Sequence, residues 1–360
     1  MSSGAHGPGS QVTAEMAEQP DVLARLVARR GQVHGEVRAV LPRELRGICL
    51  IARGSSDNVA VHARYLLELA TGMTVSMVAP SIITRYHRIP DLRDHLVIAL
   101  SQSGRTPEIV DVASQSAAAG AIVVAVTNDA DSPLASASAA TLAVGTSREL
   151  AVPATKTVTG QLALVTLLAE AVCPSGSDID RYTGGSTAWE KLAGNVGDTL
   201  ADTAPLRAAV DILADRSGGV HLARGLTYAA ALEGALKAKE TTRRPNEGYS
   251  SADFLHGPLT VASPTVVVVA YGATGPVLSD VADTARAAAE LGSPVIGIGH
   301  PGVAGNIDGA VTLPTPQSLG EALAVIPMVV RGQQLAVHTT LAMGMDPDAP
   351  QGLNKVTATR

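Results

Sequence analysis

The sequence predicts an α/β protein of two successive domains, each a parallel sheet covered by helices. Short apolar strands alternate with helical segments, the pattern of strand-helix-strand units. The alternation runs through the chain twice, which points to a duplicated architecture. With 46% hydrophobic and 17% charged residues over 360 positions, the chain can bury more than one core. Aromatic residues make up only 2%, so Val, Leu and Ala must fill those cores.

The first copy reads ICLIA (48–52), the turn RGSS (53–56), a helix, VSMVA (75–79), a helix, LVIAL (96–100), the turn SQSGRT (101–106), a helix, and AIVVAV (121–126). In the second, HLARGLTYAAALEGALKAKE (221–240) repeats the strand, Ala-Arg-Gly turn and helix of CLIARGSSDNVAVHARYLLE (49–68). Arg224 and Arg53 are 224 − 53 = 171 positions apart. TVVVVAYGATGP (265–276) then parallels LVIALSQSGRTP, and PVIGIG (294–299) parallels AIVVAV. The expected division is a disordered tail over 1–15, a helical arm over 16–46, a first domain over 47–173, a Gly/Ser/Asp/Pro-rich linker over 174–186, a second domain over 187–344, and a turn-rich tail over 345–360.

Composition removes several function classes. A net charge of −6 without a Lys/Arg block, and few rings on which bases could stack, argue against nucleic-acid binding. Cys49 and Cys173 have neither metal-ligand nor disulfide-framework spacing and read as small core residues of a reducing compartment. The first fifteen residues lack the apolar core of a signal peptide, and no apolar run reaches about 18 residues. A cytoplasmic protein is expected.

Ligands of open α/β sheets bind at the carboxyl ends of strands, where helix N-termini offer unpaired N–H groups. SQSGRT leaves a buried strand at such an edge with the hydroxyls of Ser101, Ser103 and Thr106, the amide of Gln102, and Gly104, which lacks the Cβ that would block an approaching anion. RGSS adds Gly54, Ser55 and Ser56 at the same edge. The two turns together read as a phosphate cradle, the alternative being helix capping by Ser103, Thr106 or the serines of RGSS. In ALEGALKAKE, Glu233, Lys237 and Glu240 share one helical face. The stripe is either a solvated salt bridge or a sequestered proton-transfer site, and its Ala, Leu and Gly flanks favour burial. His256 lies before Gly-Pro in FLHGPL, in a loop.

Taken in order, ARGSS, SQSGRT, RELAVPATK (148–156), ALEGALKAKE, EGYSSADFLHGPL (247–259) and the terminal NKVTATR resemble the double sugar-isomerase (SIS) module of glucosamine-6-phosphate synthase, and more closely the stand-alone type II glucosamine-6-phosphate deaminases. The match runs over nearly the whole chain. It implies two tandem SIS domains, each a flavodoxin-like three-layer sandwich. It further implies that Ser56, Ser101, Gln102, Ser103 and Thr106 hold a sugar phosphate, that Glu240 moves a proton between C1 and C2 with Glu233 and Lys237 in support, and that His256 opens the sugar ring from a neighbouring subunit of a homodimer. Lys355 matches a C-terminal lysine that closes over the open-chain sugar, which would make the tail a lid. The synthase's glutaminase domain, with its N-terminal cysteine nucleophile, has no counterpart, so no ammonia is expected from glutamine. Arg105 stands where the synthase usually has an acidic residue and Ala154 where it usually has serine.

The expected function is deamination and isomerisation of an amino-sugar phosphate, led by glucosamine 6-phosphate, without metal or organic cofactor. Proton transfer α to a carbonyl needs only a placed base and an electrophile near the oxygen. The alternatives are elimination of the 3-hydroxyl from N-acetylglucosamine 6-phosphate, deglycation of an amine-linked sugar phosphate, and non-catalytic sensing of a sugar phosphate. A sensor need not keep Glu240, His256 and Lys355, and the residues before the first strand hold no basic helix-turn-helix pattern.

Overall fold

A computed structural model describes residues 7–174, 177–353 and 355. It resolves into two compact units: Asp21–Glu149 with Lys156–Tyr182, here the first unit, and Thr183–Lys355 with Leu150–Thr155 and residues 7–20, the second.

In the first unit, β1 (Gly47–Ile51), β2 (Val75–Met77), β3 (His95–Leu100), β4 (Ile122–Thr127) and β5 (Ala140–Ala143) form one parallel sheet in the order β2-β1-β3-β4-β5. In the second, β6 (Gly218–Ala223), β7 (Asn246–Ser250), β8 (Val266–Gly272), β9 (Val295–Gly299) and β10 (Val311–Pro314) form another, in the order β10-β9-β8-β6-β7. Reversed, the second order matches the first strand for strand. The registers also agree: Gly47 pairs with His95 and Gly218 with Val266, where 218 − 47 and 266 − 95 are both 171. The expected α/β architecture with helix-flanked parallel sheets is therefore present in both copies.

Central strands are buried on both faces and read as continuous Val/Ile/Leu/Ala runs, as sheets covered by helices require. Helix Lys156–Val172 covers the first sheet with all but its last residue buried, and helix Glu321–Ala342 has nineteen buried positions in the second unit. The arm contains the helices Gln19–Ala28 and Arg30–Val40. Arg30 and His34 of the latter both reach Glu170 Oε2, at 2.9 and 3.0 Å.

One expectation needs correcting. The tail over 1–15 is helical from Ser10, in the helix Ser10–Ala17. Its free N–H groups are satisfied from the far end of the chain: Gly9 donates to Asp346, while Gln11 and Val12 donate to the carboxylate of Asp348. An N-terminus so capped is fixed despite its small polar sequence. The boundary between the units at Tyr182–Thr183 falls within the 174–186 stretch, which carries a turn of helix at Asp180–Thr183, and Gly320 N–H donates to the carbonyl of Thr183.

Candidate active site

The turns after β1 and β3 lie at neighbouring positions on the carboxyl edge of the first sheet, where strand order reverses. Capping does not account for their hydroxyls. The N-cap of helix Ser55–Thr71 is Gly54, at φ +60°, and that of helix Pro107–Ala118 is Thr106, whose side chain makes no cap bond.

Gln161, in the middle of helix Lys156–Val172, joins the two turns. Ser56 Oγ donates to Gln161 Oε1 at 3.0 Å, and Gln161 Nε2 points to the carbonyl of Val126, which also accepts the backbone N–H of Ser101. Ser101 Oγ accepts from Gly104 N–H at 3.2 Å and lies 3.4 Å from Thr106 Oγ1, while Ser103 Oγ accepts from Arg105 N–H. The Gln102 carbonyl accepts from Asn128 N–H, so the turn is pegged to the end of β4 as well. The hydroxyls of Ser56, Ser101, Ser103 and Thr106 are thus fixed by local bonds at the carboxyl edge of the sheet. Gln161 was not singled out in the sequence. Its signal was the one amide of that helix, in a stretch that also carries three threonines.

Gly104 has a different role from the one its sequence suggests. A Cβ there would fall 2.1 Å from Ser132 Oγ, so the missing side chain admits the 132–134 turn rather than a ligand, and Leu134 N–H donates to the Gly104 carbonyl. Arg105 turns outward to an exposed ion pair with Asp129 at 2.8 Å, which holds that carboxyl below its usual range. On the other side of the cradle, Arg53 Nε donates to Glu108 in the first turn of the next helix. Lys156 is buried at 1% exposure and donates to Ser147 Oγ at 2.7 Å.

The acidic stripe of the second unit is not a solvated face. On helix Tyr228–Thr242, Lys237 Nζ lies 2.5 Å from Glu240 Oε2 and 3.5 Å from Glu233 Oε1. The side chains of Lys237 and Glu233 are 3% and 2% exposed and that of Glu240 is 21%, so of the three only Glu240 has an open edge. Lys239 points elsewhere, to an exposed pairing with Glu247. Behind the stripe, Gly234 lets the buried Tyr271 hydroxyl approach so closely that a Cβ would meet it at 2.0 Å. Tyr271 bonds His221 Nδ1 at 3.0 Å. Burial, reinforced by the Glu233 charge, pushes the Tyr271 phenol well above its usual range, and burial lowers His221 to about 4, so both are neutral at pH 7. The helix is thus seated on neutral hydrogen-bonding groups that do not compete for the lysine.

His256 is exposed at the C-cap of helix Ser251–Leu255. Lys355 is half-buried, and the neighbouring 354 and 356–360, most of the NKVTATR motif, lie outside the described residues.

The corresponding crevice of the second unit carries a carboxylate. Glu321 opens helix Glu321–Ala342 and is 9% exposed. Burial pushes its carboxyl up to about 7. A folded-state value above the ordinary 4.5 means that the fold favours the protonated acid, so stability is full below about pH 4.5 and falls as pH rises through 7. Glu321→Gln removes that loss. The variant should match the parent near pH 4.5 and exceed it by up to ~3 kcal/mol above pH 7, read as a gap in Tm that opens with pH. A gap that stays constant from pH 5 to 8 would show the carboxyl to be ordinary.

Comparison with known proteins bears on this arrangement. The profile of the SIS domain matches residues 43–171 and 213–302, which take in the whole first sheet and four of the five strands of the second. The chain belongs to the SIS-domain family. Among curated SIS relatives, a glutamine–fructose-6-phosphate aminotransferase (isomerizing) of Symbiobacterium thermophilum is 32% identical over 95% of this chain, which spans 58% of that protein's length. A solved structure from Silicibacter pomeroyi, described as a candidate phosphosugar isomerase, is 31% identical with a TM-score of 0.79, covering 94% of this chain and 99% of that one. The glucosamine-6-phosphate deaminase of Thermotoga maritima shares the SIS fold at 20% identity and a TM-score of 0.68, over 94% of this chain and 99% of the other.

Proposed function

We propose that this SIS protein is an amino-sugar phosphate isomerase that deaminates its substrate, converting glucosamine 6-phosphate to fructose 6-phosphate and ammonia. The observation that carries the reading is Glu240: a carboxylate held by a buried lysine, with its other edge open, on the helical face it shares with the buried Glu233. A base so placed is oriented and partly desolvated before substrate arrives.

In this reading the phosphate occupies the cradle of Ser56, Ser101, Gln102, Ser103 and Thr106, with Gly54 and Ser55 shaping its rim. His256 assists ring opening, which frees the C1 aldehyde. Glu240 then takes the C2 proton, and the electron pair moves through C1–C2 to the aldehyde oxygen, which takes up a proton. Return of a proton to C1 gives a C2 imine, which water cleaves to the ketose and ammonia. Lys237 and Glu233 position Glu240, and Lys355 closes over the open chain. His256 is exposed, as a residue serving a second copy's site has to be, and the active form is accordingly a homodimer.

The test is product analysis by mass spectrometry after separate incubations with glucosamine 6-phosphate and its N-acetyl derivative. Fructose 6-phosphate and ammonia from the free amine alone are expected. A product one water lighter from the acetylated sugar would replace deamination by elimination of the 3-hydroxyl and keep the same base.

A further inference from the structure

The duplication invites a position-by-position comparison of the two crevices. Adding 171 carries Gly54 to Gly225, and both have left-handed φ, +60° and +62°. The same step carries Arg53 to Arg224, and each arginine pairs with an acid early in the helix that follows the equivalent of β3: Arg53 with Glu108, Arg224 with Asp280. The frame of the site is therefore kept in both units.

Its lining is not. Ser101 becomes Gly272, Gln102 becomes Ala273, Thr106 becomes Val277 and Ser55 becomes Leu226, while Ser103 becomes Thr274 and keeps a hydroxyl. The threonine that replaces Ser56, Thr227, donates its hydroxyl to the Arg224 carbonyl. The long helix after the fifth strand opens with Lys156 in the first unit and with Glu321 in the second, so the charge at its first residue is reversed. The Glu321 carboxylate lies against both turns of its crevice. A Cβ on Gly275, the equivalent of Gly104, would fall 2.6 Å from Oε2, and one on Gly225 would fall 3.8 Å from Oε1.

We infer that Glu321 is a specificity determinant that closes the second crevice to anions, so that each chain takes up phosphate through its first crevice only. The physical reason is direct. A carboxylate in a water-poor niche repels a phosphate dianion far more strongly than one at the surface, and of the hydroxyls that would compensate only those of Thr227 and Thr274 remain, the first already bonded to the Arg224 carbonyl. The raised carboxyl pKa, which follows from burial, agrees with a water-poor niche. The stoichiometry of one rests on the first-crevice reading above, whereas the exclusion by Glu321 stands on the second crevice alone.

The test counts inorganic phosphate bound per chain, by equilibrium dialysis at pH 8, for the full-length parent, Glu321→Gln and Glu321→Lys. Glu321→Lys restores the residue type found at 156, and Glu321→Gln removes the charge at nearly constant shape. The expected result is one site per chain in the parent and a second in the lysine variant, with at least a tenfold gain in second-site affinity over the parent. The glutamine variant should show a weaker second site, and it decides alone if circular dichroism finds the lysine variant unfolded. Two sites in the parent, or no gain in any folded variant, overturns the inference. A parent that binds no phosphate while Glu321→Lys binds one removes the first-crevice reading and leaves the role of Glu321 standing.

Discussion

Glu240→Gln is expected to lower kcat by roughly 10³-fold while leaving sugar-phosphate affinity within a few-fold of the parent. Removal of a positioned general base typically costs between about 10² and 10⁴ in rate. The amide keeps the size of the side chain and accepts from the Lys237 ammonium, which lies 2.5 Å from Glu240 in the parent, so the helix and its seat on Tyr271 should hold. The effect then belongs to the chemical step. Two readouts separate it from mere loosening: KM should move little, and exchange of the C2 proton with deuterated solvent should stop together with turnover. If the variant still exchanges that proton at the parental rate, the base is another group and the proposed mechanism fails. If turnover is absent from the parent itself while binding persists, the protein is a sensor with an enzyme's architecture.

Several of these features were legible in the sequence, and the ones that were not share a cause. The buried central strands announce themselves by runs such as LVIAL and TVVVVAY, because a strand covered on both faces has no polar positions. Of the four edge strands only β2, within VSMVA, is named by the sequence. β5 is ATLA, β7 is NEGYS and β10 is VTLP, each short, partly polar and paired on one side only. Such strands take their conformation from the neighbour they pair with and not from their own composition. The helix at Ser10 was hidden for a similar reason, since the carboxylates that cap it lie more than 330 positions away.

The candidate site shows the same division. The hydroxyls of the cradle and the face shared by Glu233, Lys237 and Glu240 follow from spacing alone. What each group does with its neighbours does not. Gly104 reads as room for an anion and proves to be room for Ser132, a residue 28 positions on that only the β4 connection brings alongside. Gln161 reads as one polar residue among several in its helix, and only the packing of that helix reveals that it ties two turns together. Hydroxyls that a sequence assigns equally well to capping or to binding are separated by the observation that Gly54 and Thr106 occupy the N-cap positions without a side-chain cap bond.

Lys237→Met should be the most destabilising single change at the stripe, by ~3–5 kcal/mol at pH 7, because it removes one partner of a buried ion pair and keeps the volume. In the parent, one ammonium lies between two carboxylates, and the Glu233 side chain has 2% of its surface exposed. Without that ammonium, Glu233 keeps its buried charge with the lysine's stabilisation lost, and holding that charge or taking up a proton costs free energy at neutral pH. The proton route also fixes the pH dependence. A carboxyl whose pKa has risen in the folded variant costs nothing once pH falls below its unfolded value, so the deficit should shrink steadily from pH 7 toward pH 4. Replacing both members is the decisive control. Lys237→Met with Glu233→Gln removes the stranded charge, and much of the lost stability should return, since an apolar or neutral pair of similar volume often equals a buried ion pair. Denaturant titrations of the parent, the single variants and the double variant supply the whole cycle. A single-variant loss under about 1 kcal/mol, flat with pH, would mean that the carboxylates find water in spite of their burial, and Glu240 would then lose its claim to a preorganised setting.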